Sequence, residues 1–236
     1  MIKKTAIIIG ASGDIGQAIA KEYAKNGYDL ALTYNSNPIG IENAKTYKLD
    51  LCKKGEIEEV FAKIKQDYKA IDSLIFVSGV AQKRQLIMDV QNEEIDTIFE
   101  INSKAAIRCI REFTKIVVNK NPANIVLIGS FVEKVGCSCE SVYTASKSAL
   151  SGLCKSLATE LGNLNIRINV VAPGFIDTKM NNNLTKEEKE EIANMTPIQR
   201  LGTVEDVANL SAFLSSDKAS FITGQTIYVD GGLILD

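Results

Sequence analysis

The arrangement of apolar residues constrains the fold of this chain more than any other feature of its sequence. Short runs such as residues 6–9 and 125–128 are apolar without interruption, and they alternate with longer segments whose apolar residues recur every three or four positions. An uninterrupted apolar strand has both faces covered, which is typical of a parallel sheet between two layers of helices. The pattern predicts an α/β fold, with a doubly wound parallel sheet of about seven strands and right-handed crossovers.

The same pattern predicts where the individual elements lie. Strands are predicted at residues 6–9, 30–33, 47–49, 73–77, 125–128, 166–171 and 226–229, and helices at 15–26, 56–68, 92–118, 143–161, 184–194 and 204–214. Neither a linker nor an internal repeat interrupts this order. We therefore predict one Rossmann domain over residues 1–236, with a substrate loop built into it at about residues 174–200.

Composition limits the classes of function. The 236 residues carry a formal net charge of −2, so no basic excess exists to meet phosphates, and neither nucleic acid nor a membrane surface is an expected partner. No run approaches the roughly 20 apolar residues of a membrane span, and the chain is expected to be cytoplasmic. The five cysteines are scattered, and Cys137 and Cys139 are interpreted as two thiols in a loop rather than as a metal site.

The chain contains no histidine. This excludes every Ser–His and Cys–His catalytic pair, and it removes the commonest metal ligand. Acid–base chemistry must then use tyrosine, lysine, aspartate, glutamate or cysteine.

A glycine-rich turn joins the first predicted strand to the first predicted helix. Glycine lets the backbone turn tightly and lets phosphate oxygens approach its N–H groups, and the N-terminus of the following helix favours anions. At this junction of an α/β chain the turn predicts a dinucleotide site, with a turn that binds no ligand as the alternative. The predicted cofactor residues of the turn are Gly10, Ser12, Gly13, Asp14, Ile15 and Gly16.

The residues after the second strand bear on which dinucleotide is bound. Sites for NAD carry an acidic residue there that accepts the ribose hydroxyls, and sites for NADP lack it. This chain has Tyr34, Asn35 and Ser36 at that place, which favours NADP(H); NAD(H) stays open because no arginine or lysine is present there either. Asp50 and Leu51, after the third strand, are candidates for the adenine, and a helix N-cap is the alternative role of Asp50.

Tyr143 and Lys147 are the candidate acid–base pair. An i, i+4 spacing puts both side chains on one helix face, and a solvated face is the alternative for the pair alone. A free phenol has a pKa of about 10, and a nearby ammonium is expected to lower this pKa so that the phenol can exchange a proton. Ser130, after the fifth strand, is a candidate for binding the substrate oxygen. Asn102 interrupts an apolar helical pattern, which favours either a water-holding role or a bond to a backbone carbonyl.

These features together resemble the short-chain dehydrogenase/reductase family over essentially the whole chain. The matching parts are residues 10–16, Asn102, Ser130, and residues 143–147, 169–174 and 222–232. The resemblance implies a Ser-Tyr-Lys-Asn catalytic set and a homotetramer or homodimer. It also implies cofactor contacts from Ser78, Gly79, Tyr143, Lys147, Pro173, Gly174, Ile176 and Thr178.

Several positions depart from the family pattern. Asp14 replaces a glycine, and Gly13 stands where many NADP-dependent members carry arginine. Residues 76–78 replace the family's Asn-Asn-Ala, so the support of the central strand is expected to differ. Residues 37–46 are too few for the usual crossover helix. The basic residue that docks carrier protein in family reductases has no clear match at residues 121–124, with Lys120 nearby.

Within the family, the chain is most similar to the bacterial 3-oxoacyl-[acyl-carrier-protein] reductases. The expected reaction is reversible hydride transfer between the nicotinamide and a carbonyl carbon, with Tyr143 protonating the oxygen and Lys147 binding the nicotinamide ribose. The substrate is expected to be a small-molecule or carrier-protein-bound carbonyl. A reductase or dehydrogenase of a sugar, polyol or other small ketone is the first alternative, and a non-catalytic cofactor-binding sensor or scaffold is the second.

Overall fold

All of the predicted strands lie in one parallel sheet. The structure, a computed structural model, describes residues 3–118, 122–181 and 184–235. The strands are β1 (Thr5–Ile9), β2 (Asp29–Tyr34), β3 (Ala44–Lys48), β4 (Ser73–Phe76), β5 (Ala123–Ile128), β6 (Ile166–Pro173) and β7 (Thr226–Val229). Their order is β3-β2-β1-β4-β5-β6-β7, so the direction of winding reverses between β1 and β4. Ligands of such sheets bind beyond the carboxyl ends of the strands at this reversal.

Helices cover both faces of the sheet. They are α1 (Asp14–Lys25), α2 (Glu56–Asp67), α3 (Asn92–Phe99), α4 (Ala105–Val117), α5 (Val132–Val135), α6 (Ser141–Leu161), α7 (Lys186–Met195) and α8 (Val204–Ser215). Helices α2, α4 and α6 contribute to the apolar core on one face, and α1 and α8 contribute to the core on the other. Within the part of the chain that the structure describes, no helix is both long and apolar enough to cross a membrane.

Strand β1 explains why its sequence is apolar without a break. Ile7 and Ile9 belong to the core that includes α2, α4 and α6, whereas Ala6 and Ile8 belong to the core that includes α1 and α8. Successive side chains of a strand point to opposite faces, so a strand covered on both sides needs apolar residues at every position. All four side chains are fully buried.

The long helix predicted at residues 92–118 is not continuous. It consists of α3 and α4 joined by a wider π-helical turn at Glu100–Lys104, in which Asn102 lies. Periodicity cannot predict such a turn, because the bonds of Asn102 within it go to Val80 and Ser146 elsewhere in the chain. The four-residue helix α5 is likewise missing from the sequence prediction, because it is too short to have a period.

The connection between β2 and β3 contains no helix, as the shortness of residues 37–46 predicts. Strand β3 follows almost directly and pairs with β2 in parallel, from Leu30 opposite Ala44 to Tyr34 opposite Lys48. Most side chains of β3 are exposed at this edge of the sheet.

Candidate active site

The glycine-rich turn brings the end of β1 against the end of β4. Gly10 has a φ of +85°, and a Cβ on it would lie 2.8 Å from the backbone nitrogen of Ser78. A Cβ on Gly16, in α1, would lie 2.3 Å from the carbonyl oxygen of Gly10. Neither position can hold a larger residue unless the backbone moves, so these two glycines let α1 begin directly against the strand ends.

The N-terminus of α1 presents backbone donors to the space beyond the sheet. Its N-cap is Gly13, which has no side chain to accept from the first N–H groups, and such a helix end favours an anion. Asp14 in the first turn is engaged elsewhere. One of its oxygens accepts a 2.7 Å bond from the backbone N–H of Lys179, and the other lies 3.8 Å from the Lys179 Nζ. The Lys179 ammonium therefore offsets part of the negative charge that Asp14 brings to this turn, where the family pattern has a glycine.

A cavity of about 760 Å³ lies over this turn. The predicted cofactor residues found in its wall are Gly10, Ser12, Gly13, Asp14, Ile15, Gly16, Asn35, Asp50, Leu51, Ser78, Gly79 and Thr178. Ser36 is exposed and does not belong to the wall, so the structure does not bring it to the site. Tyr34, at the end of β2, also lines the cavity, and so do Cys52 and Val80, which no motif in the sequence singles out.

Asp50 is held in this wall by bonds within its own loop. Its Oδ1 accepts a 3.0 Å bond from the Cys52 N–H, and its backbone N–H donates to the Glu56 carboxylate at 2.7 Å. Helix α2 begins only at Glu56, after Gly55. The alternative role of Asp50 as a helix N-cap is therefore wrong.

A second cavity, of about 360 Å³, adjoins the first. The two share Ile15, Val77, Gly79, Ala81, Thr178 and Met180 in their walls. Ser130, Tyr143 and Lys147 all line the second cavity. So do three predicted residues at and just after the end of β6, namely Pro173, Gly174 and Ile176. The candidate chemical residues therefore face a space next to the cavity over the glycine-rich turn.

Lys147 is buried, with 3% of its surface exposed. Its Nζ donates a 2.9 Å bond to the carbonyl of Ile128 at the end of β5, and it lies 5.9 Å from the centroid of the Tyr143 ring. Burial lowers the pKa of Lys147 to about 8, and the charge of Glu133 opposes this shift. The alternative of a solvated helix face is therefore wrong for this pair, because a lysine on such a face would be exposed.

The pKa of Tyr143 moves in the direction opposite to the expected one. Burial raises the pKa of this phenol; the Ser130 hydroxyl opposes the rise as a hydrogen-bond partner, and the charge of Glu140 adds to it. The ammonium of Lys147 is bonded to Ile128 rather than to the phenol. The protein's own groups therefore keep Tyr143 protonated at neutral pH, and this is the form that can donate a proton.

The side chain of Asn102 is engaged inside the protein. Its Oδ1 accepts a 2.8 Å bond from the Val80 N–H, and its Nδ2 donates at 3.0 Å both to the Val80 carbonyl and to the Ser146 hydroxyl. Ser146 in turn donates a 2.7 Å bond to the carbonyl of Tyr143. Asn102 therefore ties the segment after β4 to α6, and the bond to a backbone carbonyl that we considered as an alternative is present.

Gln82 is a residue of the site that sequence reasoning missed. It is 5% exposed and lines the second cavity. Its Oε1 accepts from the backbone N–H groups of Val142 at 2.9 Å and of Tyr143 at 3.1 Å, so it caps α6 at the point where Tyr143 stands. No local pattern could signal this role, because Gln82 and Tyr143 are 61 positions apart in the chain.

The rest of the second cavity is part apolar and part charged. Phe131, Val132 and Phe175 line it, together with Lys83, Arg84, Cys137 and Glu140. The Arg84 Nε donates a 3.0 Å bond to the Glu140 carboxylate. Lys120 and Asn121, near the place where family reductases carry the carrier-docking residue, lie outside the described residues, and so do Asn182 and Asn183 of the predicted substrate loop.

The structure combines an open parallel sheet, a glycine-rich turn at its reversal point, and an adjoining cavity lined by serine, tyrosine and lysine. This is the arrangement of a Rossmann-fold oxidoreductase. A family model described as enoyl-(acyl carrier protein) reductase matches residues 10–234. The 3-oxoacyl-[acyl-carrier-protein] reductase FabG of Escherichia coli (strain K12) is 35% identical over 98% of both chains. FabG of Staphylococcus epidermidis is 32% identical over 99% of this chain and 100% of its own. The uncharacterized oxidoreductase YmfI of Bacillus subtilis (strain 168) is 36% identical over 98% of this chain and 99% of its own.

Two solved structures are also similar to the chain over nearly its full length. ElxO with NADP bound superposes with a TM-score of 0.90 at 27% identity, over 98% of this chain and 99% of the other. A short-chain glucose/ribitol dehydrogenase from Brucella melitensis superposes with a TM-score of 0.92 at 28% identity, over 99% and 97% of the two chains. The chain belongs to the short-chain dehydrogenase/reductase family of oxidoreductases.

Proposed function

We propose that this protein transfers hydride reversibly between NADP(H) and a carbonyl group, and that its substrate is a 3-oxoacyl chain on acyl carrier protein. The observation that carries the proposal is the meeting of Ser130, Tyr143 and Lys147 in a cavity that adjoins the glycine-rich turn. Relatives that are 32% and 35% identical over nearly the full chain bear the name of this activity.

The residues around the first cavity fit a dinucleotide. The N-terminus of α1 suits a pyrophosphate, because its N-cap Gly13 leaves the first N–H groups without a side-chain partner. The absence of side chains at Gly10 and Gly16 lets this helix end lie close against the strand ends. The wall runs from Asp50 in the first cavity, through the shared residues, to Lys147 in the second. When it is bound, the nicotinamide supplies or accepts the hydride.

NADP(H) is favoured over NAD(H) by the end of β2. Tyr34 and Asn35 line the cavity there, and neither is a carboxylate that would repel a 2′-phosphate. The similar structure of ElxO was solved with NADP bound. Ser36 is exposed beside this point, so it does not contribute in the conformation that the structure describes.

The protein's own groups divide the proton chemistry between them. Ser130 holds the substrate oxygen next to Tyr143, and Tyr143, which burial keeps protonated, donates its proton to the developing alkoxide. Lys147 would hold the nicotinamide ribose of the bound cofactor, and its ammonium adds positive charge beside the Tyr143 ring. Asn102 and Gln82 position the phenol of Tyr143. Gln82 accepts from the Tyr143 N–H, and Asn102 acts through Ser146, which donates to the Tyr143 carbonyl.

The second cavity suits an acyl chain that leads to an acidic carrier. Phe131, Val132 and Phe175 give apolar surface, and Lys83 gives positive charge, whereas the charge of Arg84 is paired with that of Glu140. Residues 174–200 are proposed as the substrate loop, since Met180 and Asn181 belong to the wall. A sugar or polyol remains the second candidate substrate, because one similar structure is a glucose/ribitol dehydrogenase.

Tyr143→Phe tests the mechanism. The variant keeps the ring and removes only the phenolic proton, so carbonyl reduction should fall at least about a thousandfold, while NADPH binding measured by fluorescence should change by less than about threefold. Tyr28→Phe is the matched control, because its hydroxyl contacts the carbonyl of Ser215 away from both cavities, and it should keep full activity. Substantial turnover by Tyr143→Phe would contradict the assignment.

A substrate panel separates the candidates. The wild-type protein is assayed with NADPH and with NADH against a 3-oxoacyl chain on acyl carrier protein, the same chain on a small thiol, a ketose, and a 2-enoyl thioester. The proposal requires the fastest turnover with NADPH and the carrier-bound 3-oxoacyl chain. Preference for the ketose would support the sugar or polyol alternative, and cofactor binding without any turnover would support a non-catalytic role.

A further inference from the structure

Glu133 is a partly buried acidic residue to which the proposed mechanism gives no role. It lies in α5, three positions after Ser130, and its backbone N–H donates to the Ser130 carbonyl at 3.2 Å. Its Oε1 accepts a 2.7 Å bond from the Ser151 hydroxyl in α6 and a 3.4 Å bond from the Tyr228 hydroxyl in β7. One carboxylate oxygen is therefore held from two other elements.

The other oxygen of Glu133 is enclosed and has no hydrogen-bond partner among the described residues. It lies 3.1 Å from the point that a Cβ on Gly129 would occupy, so the absence of a side chain at Gly129 makes room for it. The residue before Gly129 is Ile128, whose carbonyl accepts the bond from the Lys147 ammonium. The free carboxylate oxygen and the ammonium therefore approach two consecutive residues at the end of β5.

Helix α6 adds a second link between the two charges. Ser151, which donates to Glu133, follows Lys147 by four positions, so the two side chains project from the same face one turn apart. Lys155 lies a further turn along α6, and its charge acts on Glu133. Cys154 and Tyr228 also face the carboxylate, and the charge of Glu133 contributes to raising the pKa of each of them. Tyr143 is the titratable group that faces Lys147 from the opposite direction along the helix.

The charges of buried Lys147 and partly buried Glu133 compensate each other. Burial lowers the pKa of Lys147, and the charge of Glu133 opposes this. Burial raises the pKa of Glu133, and the hydroxyls of Ser151 and Tyr228 oppose the rise, followed by the charges of Lys147 and Lys155. A charge in a poorly solvated interior is tolerated when an opposite charge is near, so each group favours the ionised form of the other.

We propose that Glu133 is a positioning residue, the partly buried counter-charge that keeps Lys147 protonated and held at the end of β5. Its effect on turnover rests on the proposed function, because it acts through Lys147. A purely structural interpretation is that Glu133 only joins α5, α6 and β7. The two differ in what happens to the proton affinity of Lys147 when the charge is removed and the shape is kept.

The first test measures Lys147 itself. Protein with ¹⁵N at the lysine side chains is titrated by NMR as wild type, Glu133→Gln and Ser151→Ala, and the spectrum of Lys147→Met identifies the signal. Glu133→Gln should lower the pKa of Lys147 by about one unit, because a nearby opposite charge is lost. Ser151→Ala removes a bond to Glu133 and leaves the charge, so it should shift the pKa by less than about 0.3 unit. An unchanged Lys147 pKa in folded Glu133→Gln would overturn the proposal.

A reciprocal measurement covers the case in which Glu133→Gln does not fold. In Lys147→Met, the side-chain carboxyl of Glu133, followed by ¹³C NMR, should titrate at a higher pH than in the wild type, since the coupling between two charges acts on both. No difference between the two proteins would also overturn the proposal.

An activity measurement then links the charge to turnover. Glu133→Gln should move the alkaline limb of the kcat profile for carbonyl reduction to lower pH by about the same amount as the Lys147 pKa, and Glu133→Asp, which retains a carboxylate, should move it less. A purely structural role would lower the rate at every pH without moving the limb. If the wild type reduces no carbonyl, the proposed function fails, and the NMR titrations still decide the role of Glu133.

Discussion

At the scale of single residues, the protein buries a lysine where most proteins would not. Lysine is rarely buried without a partner, and the ionised form of Lys147 is supported by one backbone carbonyl and by the charge of Glu133. Its pKa falls from 10.5 to about 8, so the folded state binds this proton less tightly than the unfolded state does. The residue that the chemistry needs therefore reduces stability.

The pH dependence of this cost gives a prediction. At pH 7, Lys147 is protonated in both states, and the full cost applies; between pH 8 and 10.5 the folded protein releases the proton first, so the cost disappears as pH rises. Lys147→Met should thus raise the free energy of unfolding by roughly 1–3 kcal/mol at pH 7, and its advantage should shrink above pH 8. Urea unfolding at several pH values measures this.

The matched control for this prediction is Lys155→Met, on the same helix. Lys155 is exposed, so the substitution should change the free energy of unfolding by less than about 0.5 kcal/mol at any pH. If Lys147→Met were as neutral as this control at pH 7, the burial cost of the ammonium would be contradicted.

At the scale of elements, helices α7 and α8 begin with the same device and differ in what they cover. Thr185 and Thr203 are both N-caps of a capping box, with Glu188 and Asp206 as their partners. Helix α8 buries a row of side chains against the sheet and packs on α1, whereas Ile192 is the single buried residue of α7. The same capping box therefore occurs once in a helix of the core, α8, and once in a peripheral helix, α7.

Thr203→Ala should lower the global free energy of unfolding by about 1 kcal/mol, because the cap satisfies the first turn of a helix that belongs to the core. Thr185→Ala is the matched control; it should loosen α7 in hydrogen exchange while the global value changes by less than about 0.5 kcal/mol. Urea unfolding of both variants gives the comparison. Equal global losses would mean that α7 is part of the same cooperative unit as α8.

Elements also mark the limit of prediction from periodicity. Every strand and every helix longer than eight residues in the structure overlaps a predicted element, because these elements have a regular apolar pattern. The π-helical turn at Glu100–Lys104 was not predicted, because the bonds of its Asn102 go to distant segments. The helix α5 was not predicted, because four residues are too few to show a period. Those two places carry Asn102 and Glu133.

At the scale of the whole molecule, β7 forms one edge of the sheet, and exposed aromatic residues precede it in the chain. The side chains of this strand are only partly buried, Phe221 before it is fully exposed, and Phe213 of α8 is 40% exposed. An open sheet edge and exposed aromatic residues are both typical of a protein–protein interface. We propose that the protein is a homodimer or homotetramer and that this face is buried between copies.

Phe221→Asp should shift the protein to a smaller species in sedimentation velocity, because it places a charge in the proposed interface, and it should leave the circular dichroism spectrum unchanged. Lys218→Glu, an exposed residue of the neighbouring turn, is the control for a change of charge and should sediment as the wild type does. A monomeric wild type would contradict the interface.

The sequence by itself determined the parallel sheet, the glycine-rich turn and the pair of Tyr143 and Lys147. Each of these depends on residues close together in the chain: an apolar run, glycines at a strand end, and an i, i+4 spacing. Such patterns have a local physical cause, so they can be predicted without a neighbouring segment.

Only the tertiary structure decided how that pair is held. Gln82 reaches the N-terminus of α6 from 60 positions away, Asp14 bonds Lys179 across 165 positions, and the Glu133 carboxylate accepts from Ser151 in another helix. It also decided the pKa values, because burial raises that of Tyr143 and lowers that of Lys147. Burial and contacts between distant segments arise when the chain packs, and the spacing of residues along it does not encode them.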